Sequence, residues 1–347
     1  MNHQNPISIE NSEPQEKLRV EKVTITTTAR LHMGFIDLNG SKNRLFGSLG
    51  VALNAPAIQL VMSKNKKTSI VGKICNNVSK IVEKISNNLE MDINVLIDIH
   101  EIIPEHAGLG SGTQMALAIG AGINALYNLN LTFAQIANLT NRGNRSGIGI
   151  GTFEHGGLVL DGGRKTQFPT SELEDSTHLL TLPPIIARHD FPPEWPILLI
   201  MDNEDQGVFG DAEMQAFETL EPAEFTTAQA LSHRVLMQAL PAIVERDYAQ
   251  FSEAIHALQL ATGDYFSAAQ GGHYKSSRVA QVLKYINAQG IICAGQSSWG
   301  PTGFAVFENV DTANKILNQL QRQFSNFNQL QFQLTRAKNT GATIQLS

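Results

Sequence analysis

Pro104-Glu105-His106-Ala107-Gly108-Leu109-Gly110-Ser111-Gly112-Thr113-Gln114 stands between a stretch with strand periodicity and one with helical composition. Before it, DINVLIDI carries Ile93, Val95, Ile97 and Ile99 at every second position, the pattern of a half-buried strand. After it, Thr113 to Tyr127 is rich in Ala, Leu, Ile and Met, as a buried helix requires. A Gly-rich turn placed there aims free N–H groups and the positive end of a helix at one spot, which suits a phosphate. The spacing is not G-x-x-x-x-G-K-[ST] and no Lys stands where that motif needs one, so this is not a Walker P-loop. Taken alone, the run is equally well a tight turn.

Working outward, residues 1–20 are polar and non-periodic and are expected to be a disordered tail. VTITTTARL, from Val23, has the β-branched content of a strand, Val71 to Leu89 is expected to be helical, and a further helix is expected over Thr132 to Thr140. Gly143 to Gly163 holds eight glycines, a density that calls for unusual backbone geometry or close approach; LVLD within it is a short strand. Pro169 to Pro196 is a connector leading into the buried strand ILLIMD, and a domain boundary is placed near residue 190, giving units 21–190 and 191–347. The second unit reads as helices around Ala212–Leu220, Ala228–Leu240, Tyr248–Leu260 and Ser277–Ala288, then strand IICAG, a Gly/Ser turn, strand GFAVF, a helix and strand LQFQL. In that last helix Ala313, Ile316, Leu317, Leu320 and Phe324 share one face. A ferredoxin-like sandwich is the expected architecture of this half.

The composition restricts the function. With 347 residues, 42% hydrophobic and 17% charged, the chain has material for two cored domains and is neither a miniprotein nor disordered. A net charge of -6 argues against nucleic acid as a partner. Cys75 and Cys293 are far apart, and no His falls in H-E-x-x-H spacing, so neither a disulfide framework nor a zinc motif is encoded. The N-terminus lacks the basic and apolar regions of a secretory signal, which makes a cytoplasmic address the expectation. Ala107 to Asn141 is uncharged, but Gln114, Asn124, Asn128 and Asn130 interrupt it, so no membrane span is expected.

The Gly-rich turn resembles the P-x-x-x-G-L-G-S-S-A phosphate loop of the GHMP kinase superfamily. Ser146-Gly147-Ile148-Gly149 with Gly156-Gly157 resembles the S-G-x-D…G-G block of its mevalonate kinases, and Gly295 to Gly303 sits where the superfamily has its third Gly-rich loop. Two departures matter: Gly149 replaces the catalytic Asp, and Gly112 replaces the second Ser of the phosphate loop. A glycine can neither accept a hydroxyl proton nor neutralise a cation, so ordinary phosphoryl transfer is disfavoured. A closer resemblance joins Arg30-Leu31-His32-Met33-Gly34-Phe35-Ile36-Asp37-Leu38-Asn39-Gly40, GLGSGTQ, RSGIGIGTFEHGGLVLDGG and QSSWGPTG, which together are similar to the β-ribofuranosylaminobenzene 5′-phosphate synthase family.

That resemblance implies an α+β, GHMP-kinase-like two-domain fold, with a ribosomal-S5-domain-2-like N-terminal half and a ferredoxin-like C-terminal half. It implies a decarboxylating phosphoribosyltransferase that joins phosphoribosyl pyrophosphate to 4-aminobenzoate or 4-hydroxybenzoate, early in tetrahydromethanopterin biosynthesis. Mg2+, no organic cofactor and a homodimer are implied with it. Gly108, Gly110, Ser111, Gly112, Thr113 and Gln114 are expected to hold phosphate, joined by Ser146 and Gly147 and by Ser297, Ser298 and Trp299 of the third loop. Arg30, His32 and Arg145 are the candidate catalytic residues, because a guanidinium forks onto phosphate or carboxylate. For His32 a satisfied core histidine is the competing account, and for Trp299 a plug between the halves. Asp37 and Asp161 are candidate metal ligands, though each precedes turn residues and could be a turn cap. Glu204, Asp205, Asp211 and Glu213 form an acidic stretch that is either solvated or holds Mg2+. An ATP-dependent small-molecule kinase and a catalytically silent ligand sensor are the rival functions.

Overall fold

The computed structural model describes residues 20–166, 182–205, 207 and 219–347. The expected tail, apart from Val20, lies outside the described residues, as do Asp211, Glu213, most of the expected helix at 212–220 and part of the 169–196 connector.

Strands β1 (Lys22–Thr26), β2 (Ala29–Asp37), β3 (Arg44–Leu53), β4 (Gln59–Lys64), β5 (Ser69–Gly72) and β6 (Val95–Glu101) are divided between two sheets, with helix α1 (Val78–Leu89) between β5 and β6. One sheet runs β14-β1-β4-β6-β5, where β14 is Thr343–Leu346. The other runs β2-β3-β7-β9, with β7 Leu158–Asp161 and β9 Ile185–His189; the short β8 (Arg164–Lys165) pairs with β3. Three further helices cover these sheets: α2 (Ser111–Tyr127), α3 (Phe133–Leu139) and α4 (Ile148–His155). Thr132 starts α3 with a capping box, its hydroxyl accepting from the Gln135 N–H. Helix α2 is buried over most of its length, which its uncharged, Ala- and Ile-rich sequence permits.

In the second half, β10 (Ile197–Asp202), β11 (Ala294–Gln296), β12 (Gly303–Val306) and β13 (Leu330–Thr335) form a sheet in the order β11-β12-β10-β13. The period-two geometry of a strand explains the unbroken apolar run in β10. Ile197 and Leu199 enter the main core, whereas Leu198 and Ile200 enter a second core with Val282, Leu283, Ala313, Ile316 and Leu320. Those last five lie on the helices Ser277–Ala288 and Val310–Gln323, giving the expected ferredoxin-like layer of helices on a sheet.

Four elements differ from expectation. Ser69–Gly72 is a strand paired in parallel with β6 rather than the start of a helix; its Ile70-Val71 pair is β-branched, and the helix begins only after Asn77, which is left-handed. The Gly-rich block contains the helix α4, because Gly149 and Gly151 leave room for Thr113 and Val159 within 3 Å of where a Cβ would stand. The helix expected over Tyr248–Leu260 runs on to Gln270, where Gly271 ends it in the left-handed region, and Gly263 within it leaves room for the His273 ring. The unit expected over 191–347 does not keep its last strand: β14 leaves that half and pairs with β1. Among the described residues no helix is long and apolar enough to cross a membrane.

Candidate active site

Helix α2 is preceded by Gly110 as its N-cap, whose φ of 81° only glycine adopts easily. Thr113 and Gln114 donate back to the Gly110 carbonyl, leaving Ser111 and Gly112 as the open end of the helix. That end forms part of the wall of a cavity of about 420 Å³. Arg30, Arg142, Glu105, Ser298 and Trp299 line the same cavity. No acidic residue occupies the first turn of α2, so nothing within the helix itself offsets its positive end, which faces the cavity.

The wall is held by one carbonyl. Gly108 O accepts from Arg30 Nη1 (2.6 Å) and from Ser297 Oγ (2.7 Å), and Ser297 Oγ in turn accepts from the His32 backbone N–H (3.0 Å). Strand β2, the Gly-rich turn before α2 and the third Gly-rich loop thus meet at Gly108. The fit is tight: a Cβ on Gly300 would stand 2.3 Å from Ala107 O and from the Gly108 backbone.

Arg30 and His32 lie two apart on β2, before a bulge that shifts the register between His32 and Gly34. Arg30 reaches the cavity, whereas His32 is 2% exposed, stacked on Phe35 at a centroid distance of 4.6 Å. Burial, reinforced by the Arg30 charge, holds the His32 imidazole well below its usual pKa, so it is neutral. Its position suits support of the Arg30 strand rather than proton transfer in the cavity. Trp299 is 4% exposed and packs on Phe266 at 4.4 Å.

Nothing in the sequence distinguishes Arg142, one arginine ahead of a glycine block. In the fold it lies beside Gly112, with its Nη1 3.4 Å from where a Cβ would be, and burial lowers its pKa. Arg145, three residues on, points elsewhere: it lines a second cavity with Arg164 and Tyr265. Ser146 and Gly147 do not line the α2 cavity either; both are bound to Asp161. Thr113 is in the wall, and Gln114 is buried behind it, donating to Gly149 O at 2.8 Å. A Cβ at Gly149 would lie 2.9 Å from Thr113 Cγ2, so the site is packed against a catalytic Asp as well as lacking one.

Asp37 and Asp161 both show the turn-capping arrangement that competes with metal binding. Asp37 Oδ1 accepts from the N–H groups of Asn39 and Gly40, capping a turn. Asp161 is fully buried, and its carboxylate accepts from Ser146 Oγ, Gly147 N and Gly163 N at 2.8–3.1 Å. Burial pushes its pKa up to about 6 against the downward pull of the Gly163, Gly147, Ser146 and Ser48 donors. Because the native state then holds the proton more tightly than the unfolded chain, this group's contribution to stability falls as pH rises from about 4 to about 6. Asp161→Asn puts an amide donor against these donors and is expected to cost about 1–3 kcal/mol at pH 8, read from urea unfolding. A variant as stable as the parent would remove Asp161 from this role. Asp202, next to the acidic stretch, is held low despite burial by Arg278 and Ser276, and Glu204 pairs with Arg278 at 3.4 Å.

Among the described residues no three acidic, His or Cys side chains cluster to cage a metal. Among the described residues Glu105 is the one carboxylate lining the α2 cavity. It accepts from Asn76 N (3.0 Å), Asn76 Nδ2 (2.8 Å) and Cys75 Sγ (3.2 Å). Burial raises its pKa, but the Cys75 and Asn76 donors outweigh this and hold it low. A carboxylate has about four acceptor positions, so one remains open. Cys75 itself, by burial and by Glu105, is pushed up to about 12 and is not a nucleophile.

Residues 76–157 match the family of GHMP kinases N terminal domain, and residues 239–326 match GHMP kinases C terminal. A beta-ribofuranosylphenol 5′-phosphate synthase of Archaeoglobus fulgidus is 33% identical over 331 residues, covering 93% of this chain and 99% of that relative. The chain belongs to the β-ribofuranosylphenol 5′-phosphate synthase family. A second member of this synthase family, from Methanothermobacter thermautotrophicus, is 31% identical over 83% of this chain and 89% of its own length. The synthase fold is that of solved GHMP proteins: homoserine kinase of Cytophaga hutchinsonii superposes with a TM-score of 0.64 over 96% of this chain and 100% of that one, at 16% identity. Mevalonate diphosphate decarboxylase of Staphylococcus aureus gives 0.63 over 94% and 98%, at 15% identity. As a member of the synthase family the chain is an enzyme.

Proposed function

We propose that this synthase joins C1 of phosphoribosyl pyrophosphate to the carboxylate-bearing ring carbon of 4-hydroxybenzoate, or of 4-aminobenzoate, as a step toward tetrahydromethanopterin. The observation that carries the reading is the open end of α2, flanked by Arg30 and Arg142, in a cavity with no acid at position 149 to deprotonate an alcohol. The name shared by the relatives, a ribofuranosylphenol, supports 4-hydroxybenzoate, whose para-hydroxyl the product would retain.

The para substituent pushes electron density onto the carbon bearing the carboxylate, and that carbon bonds to C1 as the C1–O bond to pyrophosphate breaks. The C–CO2 bond then breaks, its electron pair returns to the ring, and CO2 leaves; no net proton is gained or lost. What the protein must supply is stabilisation of the departing pyrophosphate and exclusion of water from the cationic sugar centre. The Ser111 and Gly112 end of α2, with Arg30 and Arg142, supplies the first. Mg2+, held by Glu105 and the Ser111 hydroxyl together with pyrophosphate oxygens, would neutralise further leaving-group charge.

The test is incubation with Mg2+, phosphoribosyl pyrophosphate and carboxyl-labelled 4-hydroxybenzoate or 4-aminobenzoate, without ATP. Equimolar labelled CO2 and pyrophosphate are expected. Release with neither acid, together with ADP formation from ATP and an added alcohol, would overturn the reading in favour of a kinase.

A further inference from the structure

We propose that Gln296 is a positioning residue for the transfer: it holds the Ser298 carbonyl so that the Ser298 N–H and hydroxyl meet the pyrophosphate at the open end of α2. The assignment rests on the pentosyl-transfer reading for the identity of that anion, and on a buried amide network for the role of Gln296.

Ser298 stands at the first central position of a tight turn, closed by the Gly300 N–H donating to Ser297 O at 3.2 Å. Its φ is 56°, a sign that turns usually reserve for Gly, Asn or Asp at that position. Ser298 is half-buried in the wall of the α2 cavity, and among the described residues neither its N–H nor its hydroxyl has a partner. A serine in this conformation, with two open donors in an anion-binding cavity, is kept there by its surroundings rather than by its own preference.

The Ser298 carbonyl is the fixed point. Gln296 Nε2 donates to Ser298 O and to Gln270 Oε1, both at 3.0 Å, and Gln296 Oε1 accepts from the Lys275 N–H at 2.6 Å. Gln270 Nε2 in turn donates to His273 O at 2.8 Å. The backbone N–H of Gln296 donates to Gln259 Oε1 (2.8 Å), and Gln259 Nε2 donates to Met33 O (2.6 Å). All three glutamines are buried, and each amide uses both its oxygen and its nitrogen. A buried network satisfied in this way favours a single geometry, because a displacement leaves a donor or an acceptor bare.

The network joins two walls of the cavity. Met33 is the residue of β2 at which pairing with β3 shifts, and Gln259 takes up its carbonyl; Arg30 lies earlier on the same strand. Glycine makes room for the contact, since a Cβ on Gly295 would stand 2.0 Å from Gln259 Oε1. Gln259 and Gln296 thus tie the strand carrying Arg30 to the loop carrying Ser298. Gln296 is not among the residues lining the cavity, so its effect on the anion passes through Ser298, whose two donors would meet the charge that develops on the leaving pyrophosphate.

The experiment compares the full-length parent with Gln296→Met and Tyr248→Phe by calorimetric titration with pyrophosphate in Mg2+, by steady-state kinetics and by urea unfolding. Gln296→Met keeps the length of the side chain and removes its hydrogen bonds. Tyr248→Phe removes a bond of 2.7 Å to Val306 O, away from the cavity lining, and measures a loss that is structural alone. A smaller folded fraction lowers the apparent kcat but leaves a dissociation constant where it was. Gln296→Met is expected to weaken pyrophosphate about 10- to 100-fold and to raise the KM for phosphoribosyl pyrophosphate, the scale of a hydrogen bond to a charged group, with the KM for 4-hydroxybenzoate within about twofold. In a Ser298→Gly background, where the positive φ needs no brace, the same change is expected to cost no more than about threefold. If Gln296→Met does not fold, Gln296→Asn, which draws the amide back from Ser298, takes its place. Unchanged pyrophosphate affinity in the Gln296 variant, an equal loss in Tyr248→Phe, a full loss in the Ser298→Gly background, or no pyrophosphate binding by the parent would each overturn the proposal. If pyrophosphate binding depends on Gln296 yet the parent releases no CO2, the positioning stands and the transfer reading fails; CO2 release with parental pyrophosphate affinity in the Gln296 variant gives the converse.

Discussion

A Gly300→Ala variant is expected to lose about 3 kcal/mol or more of folding free energy and most of its activity with it. A methyl group at that position would meet Ala107 O, Gly108 Cα and Gly108 N at 2.3 Å, all backbone atoms that cannot rotate away. Overpacking of side chains typically costs 1–3 kcal/mol, and backbone is less forgiving. The third loop would have to lift from the phosphate loop, breaking the Ser297 Oγ bond to Gly108 O and exposing Trp299. Urea unfolding of parent and variant measures the loss, and Trp fluorescence reports whether the loop has lifted. A variant with parental midpoint and kinetics would show that the two loops do not depend on this contact.

Arg30→Ala is expected to lower kcat/KM about 10²- to 10³-fold, the scale of removing one preorganised donor to developing negative charge. The side chain does two things at once: it braces the Gly108 carbonyl at 2.6 Å and forms part of the cavity wall beside Gly110. Arg30→Lys is expected to recover only part, because an ammonium can hold the carbonyl or the pyrophosphate but lacks the planar fork to do both. The measurement is initial rates with varied phosphoribosyl pyrophosphate at saturating 4-hydroxybenzoate. Full activity in Arg30→Ala would exclude the residue from the machinery.

The period-two strand before the phosphate loop, the uncharged helix after it and the helix face at Ala313, Ile316 and Leu320 are local patterns, and each forms the element it indicates. What the sequence hid is set by distant contact. Helix α4 is a poor helix by composition, and exists because its glycines let it lie against α2 and β7. Arg142 and Arg164 look like ordinary surface arginines until Gly112 and Asp161 place them at cavities. Asp37 and Asp161 show the reverse: a carboxylate before glycines is legible, but only the fold shows its lone pairs committed to backbone N–H groups. Strand β14 carries no local signal of which sheet it will join, since an edge partner is chosen by the sheet with an open edge.

That returning strand has a consequence for how the protein is made. Val23 and Ile25 of β1 pair with Leu346 and Ile344, and Glu21 and Lys22 both donate to the Ser347 carbonyl, so the beginning and end of the described chain are stitched side by side. During synthesis that flank of the first sheet therefore stays unpaired, open to a neighbouring polypeptide, until the residues of β14 have emerged. A nick near residue 340 would unseal the β1 edge of that sheet, and the same adjacency means that a short loop linking β14 directly to β1 would close the flank early.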